Sequence, residues 1–101
     1  MNFHKALRLL DCGKTERAVE ILQEVIQDAT QEGDELALLR AHCVLGEVYF
    51  EGHDFDQAKA HLETALNVMD CCGLEEDLFD YEKSSASALL HELDKPTTGI
   101  N

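Results

Sequence analysis

Apolar residues along the chain recur at spacings of three and four rather than two, so every strong segment reads as an amphipathic helix. Phe3, Ala6, Leu7, Leu9 and Leu10 predict a short helix over 3–11, stopped by Cys12-Gly13. Ala18, Ile21, Leu22, Val25, Ile26 and Ala29 predict a second over 15–31, ending at Gly33. Leu38, Ala41, Leu45, Val48 and Tyr49 predict a third over 35–51, with Asp34 as its N-cap. Phe55, Ala58, Leu62, Ala65, Leu66 and Met69 predict a fourth over 55–72, opened by Asp54 with Gln57 three places on, a capping-box pattern, and ended by Gly73. Leu78, Tyr81, Ala86, Leu89, Leu90 and Leu93 predict a fifth over about 75–94. It begins with the acidic run Glu75-Glu76-Asp77, which suits a positive helix N-terminus, and stops before Pro96. Connections of a few residues between such helices force antiparallel neighbours, so the chain is expected to be a run of helical hairpins.

The hairpins repeat. Ala18, Leu22, Val25 and Ile26 are matched by Ala58, Leu62, Ala65 and Leu66, each at an offset of 40. The same offset relates Ala6, Gly46 and Ala86, then Leu9, Tyr49 and Leu89, then Leu10, Phe50 and Leu90. Small residues at Ala6, Gly46, Ala86, Ala18 and Ala58 would let helix axes approach to the short end of the usual range of about 8–10 Å. The stretch Val44-Leu45-Gly46-Glu47-Val48-Tyr49, followed by Gly52, Asp54, Phe55 and Ala58, resembles the Leu-Gly-x-x-Tyr, turn, Asp-Tyr-x-x-Ala core of the tetratricopeptide repeat family. Ala6, Leu9, Leu10, Gly13, Ala18, Leu22 and Val25 look like a degenerate first copy. The offset exceeds the family's usual period of about 34 residues, and the excess fits longer second helices.

The resemblance implies an all-α, tetratricopeptide-like right-handed stack of antiparallel helical hairpins with five helices. One domain over 1–96 would comprise repeat one (3–33), repeat two (34–73) and a capping helix (74–94), with a flexible tail at 97–101. It also implies a concave groove lined by the first helix of each unit, usually for a peptide or a partner's helix. Matching positions place Phe3, Leu7, Leu10, Arg40, Cys43, Glu47, Phe50, Glu51, Asp80, Lys83 and Ser87 toward that groove. The family's clamp of Lys, Asn and Arg for chaperone C-terminal carboxylates is replaced here by Phe3, Leu7, Val44, Asp80 and Ser84, so that ligand class is not expected.

Composition narrows the function further. With 8 Lys and Arg against 21 Asp and Glu, the net charge is −13, which disfavours nucleic acid and anionic membranes as partners. The first residues, Met-Asn-Phe-His-Lys, lack the apolar stretch of a secretory signal, and no run reaches the roughly 18 apolar residues of a membrane span. Cys12, Cys43, Cys71 and Cys72 form no disulfide framework and no C-x-x-C, so a reducing cytoplasm is the expected location. His42-Cys43, His53 and His61 lie close in sequence, but neighbours on one helix point about 100° apart, which disfavours a closed metal site.

No nucleophile with an orienting base appears, and the run Glu75, Glu76, Asp77, Asp80 reads as a solvated cap rather than acid–base machinery. The expectation is therefore a small intracellular interaction module, an adaptor or scaffold without enzymatic activity or cofactor, that binds another protein or peptide in the groove. The alternative is an acidic inhibitor or immunity-type protein that blocks a basic target such as a nuclease. A homodimer would cover the stripe from Ala18 to Ile26 if the short first helix left it open.

Overall fold

The computed structural model describes residues 2–94, and its helices follow the three-and-four spacing closely: α1 (Phe3–Asp11), α2 (Thr15–Glu32), α3 (Glu35–Glu51), α4 (Phe55–Cys71) and α5 (Asp80–Asp94). No strand occurs among the described residues. The tail expected at 97–101 lies outside them.

Each turn has a local chemical cause. Gly13 at φ 80° and Gly33 at φ 72° take the left-handed conformation that ends α1 and α2 without a Cβ clash. Past Gly33, the Asp34 N–H donates back to Ala29 O at 2.9 Å, and Asp34 Oδ1 then accepts from Ala37 N at 3.1 Å, so one residue closes α2 and opens α3. Asp54 plays the same part before α4, where it accepts from Gln57 N at 3.4 Å. The left-handed position between α3 and α4 is held by His53, at φ 65°, instead of a glycine.

Two apolar cores share α3. Ala6, Ile21, Leu22, Val25, Ala41 and Leu45 join α1, α2 and α3, whereas Leu39, Cys43, Leu62, Ala65, Met69, Phe79 and Ala86 join α3 to α4 and α5. The third helix is thus buried on two sides, with Leu39 and Cys43 inward, while Leu38 and Val48 of the expected stripe are only half-buried. Along the stripe from Ala18 to Ile26, Ala18, Ile21, Leu22 and Val25 are buried within the single chain and Ile26 is half-buried.

The fifth helix departs from expectation at its start. Residues Glu76–Phe79 form a 3-10 turn, and the α-helix begins only at Asp80. Phe79 is buried, whereas Leu78 and Tyr81, both expected in the stripe, are 49% and 77% exposed. Leu78 lies in the 3-10 turn, outside the α-helical spacing, and Tyr81 precedes the buried Ala86 by five residues, which at 3.6 residues per turn is about 140° around α5. From Ala86 to Leu93 the stripe packs inward as the spacing predicts.

Helices α3 and α4 approach closely at Gly46. A Cβ placed on Gly46 would stand 2.5 Å from Leu62 Cδ2 and 2.6 Å from Leu62 Cγ, and Leu62 is itself fully buried. Gly46→Ala should therefore destabilise the domain by roughly 1–3 kcal/mol, because overpacking strain exceeds alanine's better helix propensity. Denaturant titration checks this, and an unchanged midpoint would show that the contact is softer than the geometry states.

Candidate functional site

Helices α1, α3 and α5 enclose a row of hollows. One of about 260 Å³ is lined by Phe3 and Leu7 of α1, by Arg40, Cys43, Val44 and Glu47 of α3, and by Tyr81, Glu82 and Ser85 of α5. A second, of about 400 Å³, lies between α1 and the C-terminal half of α3, where Leu7, Leu10, Val44, Val48, Glu47 and Glu51 meet. A third joins Glu47, Phe50 and Glu51 to Ser85, Ala88 and Leu89. Glu47 borders all three, so the hollows adjoin one another as a groove along α3.

Of the residues expected at the groove, Phe3, Leu7, Leu10, Arg40, Cys43, Glu47, Phe50 and Glu51 border these hollows. Leu7, Leu10 and Phe50 belong to neither core cluster. Cys43 is only 4% exposed and offers little surface. Asp80, Lys83 and Ser87 border none of them; Lys83 instead donates to Glu76 of the 3-10 turn at 2.6 Å. Tyr81, Glu82 and Ser85 of the same helix stand at the groove in their place. Sequence reasoning missed these three because it carried the positions of Arg40, Cys43 and Glu47 over to α5 at the 40-residue offset, whereas α5 turns a different face toward α3.

Polar ties hold α5 against α3. Arg40 Nε donates to Glu82 Oε2 at 3.1 Å, and Ser85 Oγ donates to Glu47 Oε2 at 2.8 Å. Arg40, one of the expected groove residues, thus has a carboxylate partner within the chain. Beneath this pair, the Cys43 thiol donates to Glu82 O at 3.8 Å. Burial first, then the charges of Glu82 and Glu47, push its pKa up to about 12, which keeps it protonated and unreactive.

Outside the groove, α3 and α4 are bridged by His42 and His61, with Nδ1 atoms 3.0 Å apart, and the His61 ring stacks on Tyr49 at 5.5 Å. One imidazole must donate and the other accept, so at least the accepting ring is neutral. Among the described residues no three His, Cys, Asp or Glu side chains come together to hold a metal ion. Burial, followed by the neighbouring His61, holds His42 down to about 4, and burial also lowers His61.

Two outcomes follow from these environments. A thiol reagent should label Cys12 and Cys71, which are exposed, at least tenfold faster than Cys43, with Cys43 reacting only after unfolding; mass spectrometry of the timed reaction checks it. For the histidines, the unfolded chain takes up a proton near 6.5 whereas folded His42 resists until about 4, so the unfolded state binds more protons between those values. Stability should be full above pH 6.5 and decline toward pH 4, by roughly 1–2 kcal/mol for a ring still partly hydrated. His42→Gln should flatten that part of the profile, as thermal melts across the pH range would show.

No described helix is long and apolar enough to cross a membrane. Comparison with curated proteins and with solved structures returns no match. The family model described as tetratricopeptide repeat, however, matches residues 2–70, which takes in α1, α2, α3 and nearly all of α4. Together with the helical hairpins and the groove beside α3, that match shows that the chain belongs to the tetratricopeptide repeat family.

Proposed function

We propose that this chain is an adaptor that binds another protein by holding one of its peptide segments or helices in the groove along α3. The observation that carries the reading is the position of Leu7 and Leu10. Both are half-buried, both border the largest hollow of the groove, and neither is packed into a core cluster. Apolar side chains placed so contribute little to folding and leave surface that a partner can bury, at roughly 1.5–3 kcal/mol for each well-packed anchor. Binding without chemistry is the mechanism: the sole thiol of the groove is protonated and covered, and its carboxylates hydrogen-bond or face solvent without an orienting base. The competing acidic-inhibitor reading would place the contact at the exposed run Glu75, Glu76, Asp77 and Asp80.

Affinity capture from the native cell, with the recovered partner identified and then titrated, tests the reading. Leu7→Ser with Leu10→Ser should weaken that partner at least tenfold, about 1.4 kcal/mol, with little loss of thermal stability. Conversion of Glu75, Glu76, Asp77 and Asp80 to their amides should change it little. The opposite result, together with a steep loss of binding in added salt, would place the contact on the acidic run.

A further inference from the structure

The groove is acidic as well as apolar, and two of its carboxylates, Glu47 and Glu51, pair with no cation among the described residues. Glu47 and Glu51 lie one turn apart on α3, so their Cβ atoms are about 5–6 Å apart and a single cation can meet both carboxylates. Glu47 accepts a hydrogen bond from the Ser85 hydroxyl, which leaves its charge uncompensated. Glu51 is exposed, and its carboxylate pairs with no cation among the described residues. Arg40, the cation that borders these hollows, is committed to Glu82. Arg17, Lys59 and Lys83 pair with Glu20, Asp94 and Glu76, and Lys5, Arg8 and Lys14 form no ion pair with Glu47 or Glu51. Around the two free carboxylates stand Leu7, Leu10, Val44 and Val48. The hollow they share, about 400 Å³, is within the size range of sites that bury ligand groups.

Resting on the groove reading above, we propose that the occupant is a cationic amphipathic segment, in which a Lys or Arg side chain meets Glu47 and Glu51 while flanking leucine-sized side chains fill the hollow between α1 and α3. Desolvation decides the sign. A carboxylate or a neutral polar side chain in this place would leave two acids facing an unmatched group in a half-buried hollow, whereas a cation forms charge-assisted hydrogen bonds to both. The chain's net charge of −13 acts in the same direction, because it steers cationic segments toward the protein.

The probe is a fluorescein-labelled peptide of about 14 residues built from Leu and Lys at helical spacing, a length of about four turns, with two relatives in which Glu replaces Lys or Ser replaces Leu. Fluorescence anisotropy at about 0.15 M salt should show binding of the Leu/Lys peptide and at least tenfold weaker binding of both relatives. Glu47→Gln with Glu51→Gln should weaken the Leu/Lys peptide about tenfold. The control is Glu24→Gln with Asp28→Asn, an exposed pair of the same spacing on α2, which should change binding less than about twofold. Equal losses in the groove pair and the α2 pair would mean diffuse attraction to an acidic surface and overturn the proposal. If Leu7→Ser with Leu10→Ser weakens the probe while the Glu47 and Glu51 changes do not, the cationic specificity is wrong and the groove reading stands. If neither set of groove changes matters, both are wrong.

Discussion

The contact between Gly46 and Leu62 is the constraint on which the rest of the molecule depends. With no Cβ at residue 46, α3 and α4 approach until the Leu62 side chain occupies the space a methyl group would take. That approach sinks α3 into the centre of the domain, where Ala41 and Leu45 serve one core and Leu39 and Cys43 the other. A helix buried on two sides can hold its neighbours in fixed positions because close-packed interiors transmit displacement instead of absorbing it. The groove inherits its shape from this: α1 and α5 flank the same helix, and their spacing is set by what α3 presents to each.

Polar contacts then refine what apolar packing establishes. Arg40 with Glu82 and Ser85 with Glu47 both run from α3 to α5, where fewer large side chains are buried than between α3 and α4. Such partly exposed ties add modest stability but define which way the helix is turned. They also sort the groove's charges. Arg40, Glu82, Ser85 and Glu47 are engaged across α3 and α5, whereas Glu51 has no such tie.

Much of this was legible in the chain. The helix boundaries of α1, α2, α3 and α4 follow from capping aspartates, glycine stops and three-and-four spacing, all properties of nearest neighbours. Of the eleven expected groove positions, the eight on α1 and α3 border the hollows beside α3. The other three, Asp80, Lys83 and Ser87, lie on α5. They follow from Arg40, Cys43 and Glu47 at the 40-residue offset only if α5 turns the same face to the groove as α3, and the rotation of one helix against another is set by packing, not by near neighbours in sequence.

By itself the sequence determined that the chain forms consecutive amphipathic helices joined by short turns, that small residues stand where helices must approach, and that the surface is strongly acidic. These are local or summed properties, set by side-chain spacing, backbone conformation and charge. Only the tertiary structure decided which apolar residues are core and which are free. Leu39 and Phe79 went inward, while Leu78 and Tyr81 stayed out, because burial depends on the rotation of each helix against its neighbours. It decided equally which charges cancel, since Arg40 meets Glu82 only through the packing of α5 on α3, across a separation in sequence that no local rule spans.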